Sequence, residues 1–203
     1  MASAILLAAG ESTRMGRTKA LLPWAGTTLI EYQVRELRAA GIEDVAVVLG
    51  HEAESIRGQV FPSTGSGRHL RVVVNEAYRE GRASSLRAGA AALPDSADPI
   101  VVLSVDQPRP REIVRALLEA HAPGGAAITL PAYRGHRGHP VVVAGALLAE
   151  LREASEEAQG LRGVIAAHEA SVREVAVDSE QAVLDINTPE EYEAALARYG
   201  QPS

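Results

Sequence analysis

Short apolar runs alternate with helix-like patterns along nearly the whole of this chain. Strands of a parallel sheet are buried on both faces and read as such runs, and a helix usually connects each strand to the next. The alternation therefore predicts an α/β fold, with a mostly parallel sheet covered by helices on both faces. The predicted strands are Ala4–Ala8, Val45–Leu49, Val72–Val74, Ile100–Val105, Ala126–Leu130, Val141–Val143, Val172–Val177 and Ala182–Ile186.

The segments between these strands carry helical patterns or turn residues. The predicted helices are Thr28–Ala40, Ala53–Gln59, Ser84–Leu93, Arg111–His121, Leu147–Arg152, Val164–His168 and Pro189–Tyr199. Pro62–Gly67 reads as a polar loop and Pro123–Gly125 as a turn. The irregular stretch Pro131–His139 is rich in Arg, Gly and His, which suggests that its residues serve a purpose other than folding.

Composition narrows the class of protein. For a chain of 203 residues we expect a single domain, which spans residues 1–203. With 46% hydrophobic and 23% charged residues, the chain has ordinary globular usage. Its formal charge of −6 argues against a nucleic-acid partner. The absence of cysteine excludes disulfides, thiolate metal sites and a cysteine nucleophile.

The N-terminal run Met1–Leu7 has no basic region before it and ends within a few residues, so it predicts a buried strand and not a signal peptide. No later apolar stretch approaches the roughly 20 residues that a membrane span requires. We therefore expect a soluble cytoplasmic protein with no membrane partner.

The loop after the first strand has the composition of a polyphosphate site. Ala8, Ala9 and Gly10 leave the backbone uncovered, so its N–H groups can approach an anion closely. Arg14 offers a planar fork of donors, and Lys19 offers a compact charge on a flexible stem. The alternative is a glycine-rich turn whose cations are merely solvated.

Two well-known phosphate motifs do not fit this loop. Gly10 and Gly16 are separated by five residues, which breaks the Walker spacing, and no Gly-x-Gly-x-x-Gly opens a helix here. Residues 6–19 resemble instead the signature Leu-Ala-x-Gly-x-x-x-Arg-Met-Gly-x-x-Lys of the MobA-like NTP transferases. That family includes molybdenum-cofactor guanylyl- and cytidylyltransferases, sugar-phosphate uridylyltransferases and the cytidylyltransferase of isoprenoid synthesis. The resemblance implies a three-layer α/β/α Rossmann-like fold.

By this resemblance, two acidic positions would hold Mg²⁺. Asp106 follows the buried strand Ile100–Val105 and resembles the strand-end aspartate of the family, although it could instead cap the following helix. Asp185 stands in a segment similar to Asp-x-Asp/Asn-Thr-Pro-Glu-Asp and would be the second ligand, or else a solvated turn carboxylate. Asn187 is a weaker candidate, because its side chain could simply brace the turn.

Further nucleotide and acceptor contacts come from two other segments. Gly81 and Ser85 resemble the Gly-x-x-x-Ser turn that meets the nucleobase and ribose, although the hydroxyls of Ser84 and Ser85 would serve equally as helix caps. The predicted nucleotide-binding residues are thus Leu7, Ala8, Ala9, Gly10, Arg14, Lys19, Gly81 and Ser85.

The loop Gly138-His139-Pro140 resembles the Gly-His-Pro loop of the cytidylyltransferase branch and would lie beside the acceptor. Zinc is disfavoured, because His136 and His139 have no third ligand at suitable spacing. His51 and His168 each lie beside a helix end and are interpreted as structural histidines.

The resemblance extends from Leu6 to Tyr192, and Ala8-Ala9-Gly10 is closest to the molybdenum cofactor cytidylyltransferase branch. It implies transfer of CMP from CTP to a phosphorylated small-molecule acceptor, molybdopterin in particular, with Mg²⁺ as cofactor and Arg14, Lys19 and Asp106 as catalytic residues. It also implies contact with a molybdoenzyme or chaperone. A guanylyl- or sugar-phosphate nucleotidyltransferase and a non-catalytic nucleotide-binding protein are the alternatives.

Overall fold

A computed structural model describes residues 1–60, 70–122 and 125–201. The loop predicted at Pro62–Gly67, and Pro123 and Gly124 of the predicted turn, lie outside the described residues. The strands are β1 (Ser3–Ala8), β2 (Pro23–Trp24), β3 (Thr27–Thr28), β4 (Asp44–Leu49), β5 (Leu70–Val74), β6 (Ile100–Ser104), β7 (Ile128–Tyr133), β8 (His136–Arg137), β9 (Val141–Val143) and β10 (Val172–Ala176). The α-helices are α1 (Leu29–Ala39), α2 (Ala53–Val60), α3 (Arg82–Ala92), α4 (Arg111–His121), α5 (Leu148–Arg152), α6 (Leu161–Ala167) and α7 (Pro189–Tyr199).

Helices α1 and α7 begin at capping boxes that can be read in the sequence. The hydroxyl of Thr28 accepts a hydrogen bond from the backbone N–H of Glu31, and the Glu31 carboxylate accepts one from the Thr28 N–H. Thr188 and Glu191 make the same reciprocal pair, with proline in the first turn of α7. These pairs satisfy backbone donors that would otherwise lack partners at a helix start.

The main sheet runs in the order β10-β7-β9-β6-β1-β4-β5, and β8 pairs with the free end of β7. Strands β4 and β6 flank β1 in parallel register, whereas β9 runs antiparallel to both of its neighbours. The predicted mostly parallel sheet with flanking helices is confirmed. Because the chain passes from β4 and β5 on one side of β1 to β6 on the other, a crevice opens at the carboxyl ends of β1 and β6.

Two apolar layers cover the sheet. Along β1, Leu6 packs in one layer with Leu37 of α1, while Ile5 packs in the other layer with Leu86 of α3. All four side chains are almost completely buried. Alternate residues of a strand point to opposite faces, so a continuously apolar strand is what a sheet buried between two helical layers requires.

Two local predictions are wrong. Ala182–Ile186 is not a strand: a 3₁₀ turn covers Glu180–Val183, and the chain then crosses the strand ends, with the N–H of Ile186 donating to the Asp106 carbonyl at 2.9 Å. The stretch Pro131–His139 is not wholly irregular, because β7 continues to Tyr133 and turns back into β8. The first error arises because backbone partners elsewhere in the fold decide whether a short apolar segment joins a sheet, and the second because a tight turn lets a polar stretch pair with itself.

In the described part of the chain, no helix combines the length and apolar character that crossing a membrane would require.

Candidate functional site

The loop after β1 is fixed by backbone contacts at its base. Ser12 has a positive φ of 53°, and its hydroxyl accepts a hydrogen bond from the Lys19 N–H at 3.2 Å. Gly50 allows a close approach from β4, since a Cβ there would lie 2.8 Å from the Ala9 carbonyl oxygen. The N–H of His51 donates to that same oxygen. The loop is therefore held against the ends of two parallel strands.

This loop forms one wall of a cavity of about 270 Å³ at the carboxyl ends of β1 and β6. Every residue predicted to bind nucleotide lines it. The lining residues are Leu7, Ala8, Ala9, Gly10, Ser12, Thr13, Arg14, Thr18, Lys19, Ala20, Tyr78, Gly81, Arg82, Ser85, Ser104, Val105, Asp106 and Asn187. Residues from four separated segments thus meet in one place.

Lys19 connects the two walls of this first cavity. Its Nζ donates to Asp106 Oδ2 at 3.0 Å and to Asn187 Oδ1 at 3.2 Å. The side chains of Lys19 and Asp106 are only 11% and 16% exposed, so water screens the pair weakly. Arg14 is exposed and donates from Nη2 to the same Asn187 oxygen at 3.5 Å. The capping alternative for Asp106 is wrong, because Pro110 is the N-cap of α4.

Asp185 occupies a different position from Asn187. Its Oδ1 accepts a hydrogen bond from Gln107 Nε2 at 2.8 Å and lies 4.0 Å from Arg109 Nη2. Its side chain is half exposed and does not line the first cavity, whereas Asn187 does. The structure therefore places Asn187, the weaker sequence candidate, nearer to Lys19 and Asp106, and braces Asp185 against the end of β6.

Arg109 is a functional candidate that the sequence reasoning missed. Its side chain is fully buried, with Nε donating to the His139 carbonyl and Nη1 to the Leu184 carbonyl, both at 2.8 Å. Burial lowers the pKa of the guanidinium to about 10, while the carboxylates of Asp185 and Asp106 favour its charged form. An arginine between two prolines, three residues after Asp106, was the available signal. Arg109 ties three site segments together.

The start of α3 positions Gly81 and Ser85. Gly81 is the N-cap of α3, with φ 112°, and neither Ser84 nor Ser85 accepts a hydrogen bond from a backbone N–H at the helix start, so the capping alternative for these serines is wrong. The Ser84 hydroxyl instead donates to the Gly81 carbonyl at 2.8 Å, inside the first turn. Asn75 Nδ2 donates to the hydroxyls of both serines at 2.9 and 3.0 Å. Ser85 is held at the cavity wall by these contacts.

The predicted acceptor loop lines a second, larger cavity of about 830 Å³ beside the first. Gly138 and His139 face this cavity, whereas Pro140, joined to His139 by a cis peptide bond, is buried behind it. A Cβ on Gly138 would lie 2.0 Å from the Ala182 carbonyl oxygen. Burial lowers the pKa of His139, and neighbouring Arg109 lowers it further, so the imidazole is neutral at pH 7.

The oxygen ligands at the first cavity suit a hard cation whose remaining coordination positions would be filled by phosphate oxygens. In the described ranges, no group of three or more His, Cys, Asp or Glu side chains is arranged to hold a metal. Mg²⁺ is commonly bound through one or two carboxylates together with substrate phosphates. Asp106 supplies one carboxylate, and Asp185 and the Asn187 amide oxygen lie on the adjoining segment. The residues present fit such an ion.

The remaining histidines have ordinary surroundings. His168 ends α6, with its Nε2 3.0 Å from a Glu150 carboxylate oxygen. The His51 ring lies 6.1 Å from the Tyr78 ring, in a tilted arrangement. His136 is exposed on β8. A zinc site at these positions finds no support among the described residues.

Residues 4–172 match the MobA-like NTP transferase domain family. The chain belongs to this family. The resemblance to this family that the first loop predicts is therefore confirmed. This MobA-like chain also spans less than half the length of several longer bifunctional relatives that it matches.

Individual relatives differ in their described activities. Nicotine blue oxidoreductase of Paenarthrobacter nicotinovorans is 37% identical over 150 residues, covering 68% of this chain and 69% of that protein. Rv0371c from Mycobacterium tuberculosis H37Rv superposes with a TM-score of 0.80 at 28% identity, over 96% of this chain and 97% of its own. Another Rv0371c structure is a complex with manganese. A nucleotidyl transferase from Methanothermobacter thermautotroptrophicus superposes with a TM-score of 0.79 at 25% identity, over 98% and 97%.

Proposed function

We propose that this chain, acting as one domain over residues 1–203, transfers CMP from CTP to a phosphorylated small-molecule acceptor, molybdopterin in particular. The observation that carries the proposal is the Lys19 ammonium between Asp106 and Asn187, at the mouth of a cavity walled by a glycine loop. This arrangement places a cation and oxygen ligands where a triphosphate would meet uncovered backbone N–H groups.

The chemical step needs no protein nucleophile. An oxygen of the acceptor phosphate attacks the α-phosphorus of CTP and forms the new P–O bond. The bond from the α-phosphorus to the oxygen shared with the β-phosphorus breaks, and pyrophosphate leaves with the electron pair. Lys19, Arg14 and the N–H groups of Ala9 and Gly10 would hold the triphosphate and stabilise the charge that builds up on it.

Asp106 and Asp185, with the Asn187 amide oxygen between Arg14 and Lys19, would hold the divalent ion. When bound, Mg²⁺ would spread the negative charge of the reacting phosphates. The manganese complex of Rv0371c supports binding of a divalent ion on this fold. That the ion in this chain is Mg²⁺ is our proposal. Gln107 and Arg109 would orient Asp185, because both contact its carboxylate.

The preference for cytosine rests on the loop sequence. Ala8-Ala9-Gly10 resembles the loop of the cytidylyltransferase branch, whereas the related guanylyltransferases typically carry Ala-Gly-Gly at these positions. Gly81 and Ser85 line the same cavity from α3 and would contact the ribose and base. The cytoplasmic location and the contact with a molybdoenzyme or chaperone stay predictions that follow from this assignment.

Thermal stabilisation by CTP, GTP, UTP and ATP, each with and without Mg²⁺, tests the proposal. A ligand at about 100 times its dissociation constant adds roughly 2.7 kcal/mol to the folded state. We expect the largest, Mg²⁺-dependent shift with CTP, and we expect Asp106→Asn to lose the Mg²⁺ dependence. Arg38→Gln is the matched control, because Arg38 is exposed on α1 and lines neither cavity. Wild-type activity of Asp106→Asn at saturating Mg²⁺ would refute the metal assignment.

The similarity to nicotine blue oxidoreductase favours one second candidate, an oxidoreductase on the same fold. The same thermal assay with NADH and NADPH distinguishes it. Stabilisation by a reduced nicotinamide dinucleotide, with none by any nucleoside triphosphate, would replace the transferase proposal. Stabilisation by CTP without pyrophosphate release across many phosphorylated acceptors would instead indicate a non-catalytic nucleotide-binding protein.

A further inference from the structure

The second cavity adjoins the first through a shared wall. Leu7 and Ser104 at the strand ends, and Arg82 at the start of α3, line both cavities. At about 830 Å³, the second cavity is large enough for a small organic molecule beside the nucleotide. A molecule seated there would present its end nearest Arg82 to the contents of the first cavity.

The charged side chains of the second cavity are not equally available. Arg137 already pairs with Glu169 and Glu174, at 2.6 and 2.7 Å. Glu156 accepts a hydrogen bond from the backbone N–H of Ala83.

Two guanidinium groups at this cavity differ from Arg137. Across the described residues, the side chains of Arg82 and Arg162 make neither a hydrogen bond nor an ion pair. Arg162 lies close enough to His139 to disfavour the protonated imidazole electrostatically. The cavity therefore offers two cations without partners among the described residues, while its two carboxylates are already bonded, Glu169 to Arg137 and Glu156 to the Ala83 N–H.

The rest of the wall is apolar. Its apolar residues are Leu86 of α3, Leu130 of β7, Val141 of β9, and Leu161 and Ile165 of α6. An apolar wall with a few charged groups is typical of a pocket that binds an organic body and orients it by its anionic groups.

We propose that Arg82 and Arg162 are the side chains that bind the anionic groups of the acceptor, while the apolar wall of the second cavity holds its uncharged body. Arg82, at the junction of the two cavities, orients the reacting phosphate. Arg162 holds the acceptor on the side of His139. This assignment rests on the proposed transferase function, because only that function makes the bound molecule an acceptor. The anion site itself follows from the cavity and its two arginines.

Phenyl phosphate serves as the probe, and calorimetric titration measures its binding to the full chain. Inorganic phosphate and phenol test the anionic and apolar halves separately. We expect phenyl phosphate to bind more tightly than either. We expect Arg162→Gln to weaken it about tenfold or more, because a charge-assisted hydrogen bond is lost. Arg162→Lys should recover part of the affinity, and Arg38→Gln should bind as wild type does.

A second readout separates the two arginines and the two proposals. Because Arg82 lines both cavities, Arg82→Gln should weaken both phenyl phosphate binding and thermal stabilisation by CTP with Mg²⁺. Arg162→Gln should weaken only phenyl phosphate binding. Equal phenyl phosphate affinity in wild type and both variants overturns the anion site, whatever CTP does. Absence of any CTP shift in wild type overturns the transferase proposal and leaves the phenyl phosphate comparison to decide the anion site.

Discussion

Replacing Lys19 and Asp106, singly and together, measures how strongly the first cavity depends on their ion pair. Nζ and Oδ2 are 3.0 Å apart. Coulomb's law at that distance gives about 1.4 kcal/mol in water and about 5.5 kcal/mol at an effective dielectric constant of 20. Since the side chains are 11% and 16% exposed, the pair lies between these limits, and part of the attraction is offset by desolvation. We expect a coupling energy of about 2 to 3 kcal/mol.

The assay is urea-induced unfolding of wild type, Lys19→Met, Asp106→Asn and the double variant. Each single change leaves the other member of the pair without its partner and weakly solvated. The double variant should therefore lose less free energy of unfolding than the sum of the two single losses. Arg79 and Glu11 form a control pair at 3.1 Å with exposed side chains, where solvent screening should make the coupling much smaller.

A coupling energy at Lys19 and Asp106 below about 0.5 kcal/mol, the level of distant independent sites, would refute the reasoning. The same cycle in saturating CTP adds a functional readout. Lys19 then gains phosphate oxygens as partners, so its coupling to Asp106 should fall. An unchanged coupling would mean that Lys19 does not contact the triphosphate.

Three further changes have defined outcomes. Arg109→Met should lower transfer activity far more than it lowers the free energy of unfolding by urea, because relief from burying a charge offsets the lost carbonyl contacts. Gly138→Ala should lower the free energy of unfolding by about 1 to 3 kcal/mol, since its Cβ would lie 2.0 Å from the Ala182 carbonyl oxygen; an unchanged urea midpoint would contradict this. Burial lowers the pKa of His121, which contacts Thr129, so stability should be full above pH 6.5 and fall as the pH drops below it. His121→Gln should flatten that decline in unfolding measured from pH 7.5 to 5.

Much of the site could be predicted because its residues follow strand ends directly. Asp106 comes two residues after β6 ends, and Gly10 comes two residues after β1 ends. Parallel strands of one sheet bring their carboxyl ends to a common edge, so the alternation of elements was enough to place both residues there. The capping boxes at Thr28 and Thr188 were equally local, since each involves residues three positions apart.

Other parts of the site depend on contacts that no local pattern contains. Arg14 and Asn187 are 173 positions apart in the chain, and Lys19 and Asp106 are 87 apart. Whether Asp185 or Asn187 faces Lys19 depends on one turn of backbone that crosses the strand ends. The buried position of Arg109 depends on the carbonyls of two such crossing segments.

Short-range chemistry in the chain accounts for the elements, their order and the phosphate-type loop, because propensity, capping and strand burial act over a few residues. The packed structure accounts for the partner of each charge: Lys19 with Asp106, Gln107 with Asp185, and Arg82 and Arg162 left available in the second cavity. Pairing between charges depends on distances of a few ångströms between distant segments. The order of the strands, and the segment that crosses their carboxyl ends, set those distances.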